Sequence, residues 1–366
     1  MKIVHITTVH NPFDNRIFHK ECTSMAELGH NVVLVVPYNK DETVNGVQIR
    51  PLPHPKGRLA RMIFTARQAY QKALHEDADI YHFHDPELII YALLLKKRGK
   101  KVIYDIHEDY SSSIRQKDYL LRPLRVMLAD LFSYLEKAGT NNLPKILAEK
   151  NYKIRFPDGV EILNYPKREL LAIPLNKPTG SSWKVIYTGN ITRDRGAYEH
   201  ANIVNYMDDM QVYLVGYCDQ ELADQLYTIA GKEGNRLYIT GLNRFVPFRE
   251  IIDYYAMGNW TAGLAIFPPT PHYFKKELTK LFEYMSAGIP IICSDFPVWK
   301  ELIEKTGSGI CVNPADKEAI KAGLEYLASN RDEAIKMGLS GRSCVEKYYL
   351  WENEALKLQK LYREMF

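Results

Sequence analysis

The chain has 366 residues, 46% hydrophobic and 25% charged, with a formal net charge of +4. That length exceeds what one hydrophobic core usually serves, so two domains are expected, and the composition is that of an ordinary soluble globular protein. Five scattered cysteines without Cys-x-x-Cys spacing argue against a disulfide framework and structural zinc, and point to a reducing cytoplasm.

The opening MKIVHITTVHN has too short an apolar part for a signal peptide and reads as a first strand over 2–7. A helix over 16–28 leads to a strand at 31–36, and a basic amphipathic helix over 59–75 leads to a strand at 80–83. The longest apolar runs, such as 88–95, are too short to cross a bilayer. A strand at 101–106, a helix over 119–137 and a strand at 160–163 complete the first half. Residues 165–182 are rich in Pro, Lys and small polar residues and read as a linker. The second half repeats the pattern. Strands are expected at 184–188, 211–215, 236–240, 261–266, 290–293 and 309–312, and helices over 219–232, 248–256, 278–287, 317–330 and 331–347. A last amphipathic helix starts at Trp351 and is expected to bury residues such as Leu356 and Leu361. Short apolar runs alternating with amphipathic stretches mark parallel α/β sheets. The chain therefore divides into 1–164, the linker 165–182, 183–348 and a final helix, 349–366.

In open parallel sheets, ligands bind outside the carboxyl ends of the strands. Polar residues recur there: His10, Asp14 and Arg16 after the first strand, His84, Asp85 and Glu87 after DIYHF, and His107, Glu108 and Asp109 after KVIYDI. In the second half Gly189, Asn190, Arg193 and Arg195 follow KVIYT, while Gly216 and Gly241 end two further strands. Such glycines admit a ligand to the backbone or make a tight strand-to-helix turn. No G-x-G-x-x-G follows the first strand and no G-x-x-x-x-G-K-[ST] occurs, which argues against dehydrogenase and P-loop chemistry. Asp77-Ala78-Asp79 spells D-x-D but directly precedes a strand, so no metal site is assigned to it.

LTKLFEYMSAGIPIICSD places Lys280 and Glu283 at the opening of a helix. A helix N-terminus with a lysine favours a diphosphate, and a carboxylate beside it is suited to the hydroxyls of a ribose. The plain alternative is an i,i+3 ion pair on a solvated helix face.

This run, with WKVIYTGNITRDRG before it and LYITGLNRFVPFREIIDYYAMGNWTAGLA between, resembles family 4 of the retaining nucleotide-sugar glycosyltransferases. HNPFDNRIFHKECTSMAELGHNVVLV resembles that family's acceptor-domain opening, and HFHDPEL and YDIHEDY resemble its further cleft loops. The resemblance implies the GT-B fold: two Rossmann-like doubly wound domains facing an interdomain cleft, an acceptor-binding one and a nucleotide-sugar-binding one, with the last helix crossing back to the first. It implies that Glu283 is the second glutamate of the E-x7-E motif and holds the ribose. Arg195 would neutralise the diphosphate, Gly189 would let the donor approach, and His107 would lie near the donor sugar. The first motif glutamate is replaced by Lys275, and Asn190 stands where many members carry arginine. Lys275, Lys276 or Lys280 would then serve the diphosphate or sugar, with Arg193 sharing the charge of Arg195.

The implied reaction is metal-independent transfer of a sugar with retention, from a nucleotide diphosphate-sugar to a glycan or lipid-linked saccharide in cell-surface polysaccharide or glycolipid assembly. No cofactor is expected beyond that donor. His107 reads as a sugar contact, a general base or a structural histidine. His84 with Asp85 orients His107 or closes a turn, and His84, Asp14 and Arg16 are candidates for binding the acceptor. Asp14 equally suits a helix cap. Residues 1–170 hold 26 Lys and Arg against 20 Asp and Glu. GRLARMIFTARQAYQK and YLLRPLRVMLADLFSYL fit either core-facing helices or peripheral contact with a membrane at its cytoplasmic face. No basic stripe with interleaved aromatics occurs, so nucleic acid is not an expected partner. A nucleotide-sugar epimerase and a GT-B nucleotide-binding protein without turnover are the competing readings.

Overall fold

The computed structural model describes residues 1–115, 121–177, 182–271 and 273–366. The first residues of the helix expected over 119–137 and residues 178–181 of the expected linker lie outside the described residues. The chain forms two compact units, Met1–Asn164 with Trp351–Phe366, and Tyr165–Leu350. Each is a mostly parallel α/β sheet.

The first unit holds strands β1 (Lys2–Ile6), β2 (Asn31–Pro37), β3 (Glu42–Val44), β4 (Val47–Leu52), β5 (Ile80–Phe83), β6 (Lys101–Ile106), β7 (Lys145–Leu147) and β8 (Val160–Glu161). Their order is β3-β4-β2-β1-β5-β6-β7-β8, all parallel except the β3–β4 pair. The central strands are apolar at nearly every position because both faces are covered. One face packs Val4, Val33, Tyr81 and Phe83 against Ala66, Ala69 and Ala73. The other packs Ile3, Val32, Ile80 and Ile103 against Phe18 and Met25, and against Trp351, Leu358 and Tyr362 of the final helix, Trp351–Glu364. That helix therefore buries Trp351, Ala355, Leu358 and Tyr362. Leu361 is partly buried, but Leu356 faces out at 56% exposure, one residue off the buried stripe.

The second unit holds β9 (Trp183–Thr188), β10 (Met210–Cys218), β11 (Leu237–Leu242), β12 (Ala262–Ala265), β13 (Ile291–Ser294) and β14 (Gly309–Val312), in the order β11-β10-β9-β12-β13-β14. The chain winds outward in opposite directions from β1 and β5 in the first unit, and from β9 and β12 in the second. Those reversals open a crevice at the strands' carboxyl ends, where doubly wound sheets bind ligands.

The stretch expected as a linker is part of the second unit. Leu170 and Ile173 are buried, and the Asn176 side chain donates to the Trp260 carbonyl and accepts its N–H at 2.7 and 2.8 Å. Arg342 donates to the Leu171 and Ile173 carbonyls. Its polar composition serves hydrogen bonding to the unit. Tyr349 and Leu350 also belong to this unit, so the final helix begins at Trp351.

Candidate functional site

In the second unit the site is built on the end of β9. Gly189 has φ +115°, which an L side chain rarely adopts, and its N–H donates to the Val215 carbonyl at 2.9 Å. A Cβ there would meet nothing nearer than Tyr187 Oη at 3.5 Å, with Lys280 Cε and Nζ at 3.6 and 3.8 Å. Gly216 and Gly241 have a different task. A Cβ on Gly216 would lie 1.8 Å from the Gly189 carbonyl oxygen, and one on Gly241 would lie 2.2 Å from that of Gly216. These two glycines let neighbouring strand ends close on each other, so of the three only Gly189 leaves its Cα side open.

Helix Thr279–Ala287 brings Lys280 to this point and ends at Gly288, which takes a left-handed conformation with φ +68°. Lys280 Nζ donates to Glu283 Oε2 at 2.7 Å, and Tyr255 Oη donates to the same oxygen at 3.0 Å. Thr188, the last residue of β9, bonds Tyr255 Oη at 2.6 Å. The i,i+3 ion pair therefore exists, but on a buried face. Glu283 is 8% exposed, and its second oxygen accepts no hydrogen bond from a described residue. The structure thus gathers Gly189, Lys280 and Glu283.

Arg195 joins them through Tyr187 and Tyr273. Both hydroxyls lie close to its guanidinium, and although burial opposes its charge, the two phenols raise its pKa. Tyr187 Oη also donates to the Asn190 carbonyl at 2.9 Å. Burial pushes the Tyr273 hydroxyl up to about 12, so it stays protonated and donates to Asp194. Arg193 is exposed, donates to Gln225 at 2.7 Å and lies over the Tyr198 ring. Lys275 is exposed in the loop before the helix, with no hydrogen bond or ion pair among the described residues.

In the first unit, His107 follows β6 and has both ring nitrogens engaged. Nδ1 lies 3.3 Å from Asp105 Oδ2, and Nε2 lies 3.1 Å from His10 Nε2. Asp105, fully buried, takes a two-bond clasp from Arg16 at 3.1 Å. Burial alone would raise the Asp105 pKa, but Arg16 and His107 hold it well below the usual carboxylate range. His84 is 1% exposed, stacks on His107 and sits 3.3 Å from Asp105. Burial lowers its pKa to about 4, so it is neutral.

Two of the expected acceptor contacts are corrected by this geometry. Arg16 is 5% exposed, its donors go to Asp105 and to the Ile162 carbonyl at 3.0 Å, and Glu21 forms an ion pair with it at 3.1 Å, so it is a structural cation. His84 lies behind His107, out of reach of a ligand. Asp14 caps the helix opening, its Oδ1 accepting the N–H groups of Arg16 and Ile17 at 2.8 and 2.9 Å. Its other oxygen faces His10 at 3.8 Å. Asp85 anchors the loop after β1 by accepting from Thr7 and from the Thr8 N–H at 2.9 and 2.6 Å.

The local cause of the Arg16–Glu21 pairing is a π-helical turn, Ile17–Cys22, in which the Glu21 N–H donates to the Arg16 carbonyl. Residues five apart on an ordinary α-helix diverge by about 140°. The wider turn stacks them side by side, and such turns recur at functional sites.

Two family models match the chain. Residues 15–152 match "Glycosyltransferase Family 4", and residues 184–343 match "Glycosyl transferases group 1". The chain belongs to the GT-B glycosyltransferases of the family 4 type. A phosphatidyl-myo-inositol mannosyltransferase of Mycolicibacterium smegmatis is 20% identical over 359 residues, covering 92% of this chain and 86% of the relative. Sucrose-phosphate synthase from Thermosynechococcus elongatus superposes with a TM-score of 0.75 at 18% identity, over 100% of this chain and 99% of that one. Anabaena HepE, solved in complex with UDP and with UDP-glucose, gives TM-scores of 0.74 and 0.73 at 10% identity over the whole of both chains. These likenesses carry the GT-B fold.

Within this glycosyltransferase, motif reading named Gly189, Lys280, Glu283 and Arg195, which the structure brings near the end of β9, but not the neighbours Thr188, Tyr187, Tyr255 and Tyr273 that surround them. In the first unit it missed Glu21 and Asp105. An aspartate inside the apolar strand KVIYDI was the available signal, because a carboxylate in a buried parallel strand needs a partner. Among the described residues no helix is long and apolar enough to cross a membrane.

Proposed function

We propose that this glycosyltransferase moves a sugar from a nucleotide diphosphate-sugar, with retained anomeric configuration, to a glycan or lipid-linked saccharide in cell-surface polysaccharide or glycolipid assembly. The observation that carries the donor reading is the buried Lys280–Glu283 pair under the open side of Gly189. Lys280, at the start of a helix, offers a positive charge and nearby backbone N–H groups to a diphosphate. Glu283 is held by Tyr255 and Lys280 through one oxygen, which leaves the other for ribose hydroxyls. Arg195, and Lys275 from its exposed loop, supply further positive charge for the leaving diphosphate. Fixed charges of this kind stabilise a departing anion without a metal ion. A diphosphate oxygen is then placed to take the acceptor proton on the face from which the donor leaves. His107, fixed by Asp105 and His10, contacts the donor sugar. The complexes of HepE with UDP and UDP-glucose support the class of donor.

The lipid-linked acceptor is favoured by an apolar surface on the first unit. Helix Arg122–Thr140 buries Ala129, Glu136 and Thr140, while Met127, Leu131, Tyr134 and Leu135 are exposed. Leu59, Ile63 and Phe64 are exposed beside Arg58. Apolar residues flanked by arginines suit the interface of an anionic bilayer.

The test is a thermal-shift screen over UDP-, GDP-, ADP- and dTDP-sugars, followed by transfer to a lipid-linked saccharide with excess chelator. A ligand that binds only the folded state raises the melting temperature, so one nucleotide class should stand out. Transfer surviving the chelator is the expected result. No stabilisation by any donor, or epimerisation of donor alone, overturns the reading. Loss of transfer restored by magnesium or manganese overturns the metal-independent part.

A further inference from the structure

Behind His107, in the interior of the first unit, β1 and β5 place His5, His82 and His84 beside Glu21 of the π-helical turn. All four are fully buried, and one donor atom from each lies within 4.8 Å of the others. Glu21 Oε2 has no hydrogen bond, and it stands 3.8 Å from His5 Nδ1, 4.0 Å from His82 Nε2 and 3.9 Å from His84 Nε2. Those separations are too long for hydrogen bonds. His5 Nδ1 and His84 Nε2 are 3.0 Å apart. Nitrogen and oxygen donors around a tetrahedral zinc lie about 3.3–3.5 Å from one another, so the observed edges bracket that spacing.

We propose that His5, Glu21, His82 and His84 hold a zinc ion as a closed, four-ligand structural site. The donor set of three imidazoles and a carboxylate suits zinc. Two of the ring nitrogens facing away from the centre are already engaged, His82 Nδ1 at 2.6 Å and His5 Nε2 at 3.4 Å from Tyr362 Oη, while His84 Nδ1 faces Asp105 at 3.3 Å without a hydrogen bond. Outer partners of this kind fix the tautomer and aim of metal-bound histidines. Glu21 and Asp105 are two buried carboxylates that share the single guanidinium of Arg16, and burial with Asp105 beside it raises the Glu21 pKa, an effect that a bound cation would reverse. The cysteine pattern gave no sign of zinc, because histidines on adjacent strands supply the donors instead. The site has no open position for substrate, so it stands apart from the proposed chemistry.

The competing occupant is a proton shared between His5 and His84. Full-length chain without a histidine tag, produced in zinc-supplemented medium and dialysed against EDTA, separates the two by elemental analysis. About one zinc per chain, released only on unfolding, is expected, with an anomalous peak at the zinc edge among the four side chains. Glu21→Gln should cut the zinc content at least fivefold. Folded wild-type chain with less than a tenth of an equivalent of zinc overturns the proposal, as does a peak elsewhere or a full equivalent in Glu21→Gln. The wild-type measurement stands even if the variant fails to fold.

Discussion

A carboxylate proposed to hold a ribose should be costly to donor binding when it is lost. Glu283→Ala removes hydrogen bonds to a charged group, so donor affinity should fall by about 1.5–3 kcal/mol. Titration calorimetry checks it, and unchanged affinity in a folded variant removes Glu283 from the site. His10 offers a second test. Burial opposes its protonation, but the Asp14 carboxylate 3.8 Å away and the charges of Asp85 and Glu108 raise its pKa. At Asp14, His10, the Ile17 N–H and His107 outweigh burial and hold that carboxyl well below the usual range. The charged pair therefore stabilises the fold below about pH 6.5 and is lost as pH rises through the raised histidine value. The His10 ring should titrate by NMR above 6.5, and Asp14→Asn should lower that midpoint; a wild-type midpoint at or below 6.5 contradicts the pairing. At this scale the sequence showed which residue types lie near strand ends, but not their depth. Arg16 and His84 carry the right chemistry and are buried, a fact set by Asp105, distant in the chain, and by the π-helical turn that brings Glu21 beside Arg16.

The elements were more legible in the second unit, where all six strands stand near their expected positions as continuous apolar runs. In the first unit the β3–β4 hairpin was missed, although Asn45 and Gly46 both take the positive φ that an Asn-Gly turn requires. The strand β7 is only three residues long and begins with Lys145, so no periodicity announces it. Helices Ile89–Lys97 and Pro297–Thr306 were also missed, the first because its apolar run has no polar face to set a period. Gly216 and Gly241 look like ligand-binding glycines in sequence, because a close approach between strands and one to a ligand use the same residue. The two can be separated. Gly216→Ala puts a Cβ against the Gly189 carbonyl and should destabilise the second unit by about 1–3 kcal/mol, read as faster hydrogen exchange along β9 and β10. Unchanged exchange would show that the strand ends have room to spare.

The first unit is discontinuous, its final helix reached only after the whole second unit has been made. Trp351 Nε1 donates to Ser24 Oγ at 2.8 Å, and Glu354 accepts the Leu163 N–H at 2.9 Å. Trp351, Leu358 and Tyr362 fill one face of the sheet, and each fully buried large side chain contributes about 1.5–3 kcal/mol. Their sum is comparable with the 5–15 kcal/mol by which domains are stable. Tyr362 also closes the histidine cluster, so removing it opens His5 and His82 to water. A chain ending at Leu350 should therefore lose hydrogen-exchange protection in β1, β2 and β5 while keeping it in β9, β12 and β13. Because the side chains proposed to hold the donor, Lys280, Glu283 and Arg195, all lie in the second unit, the truncated chain should still bind nucleotide although transfer is lost. Protection unchanged in β1 and β5 would mean that the sheet and its other helices suffice without the final helix, and nucleotide binding lost together with transfer would mean that the donor site does not reside in the second unit alone.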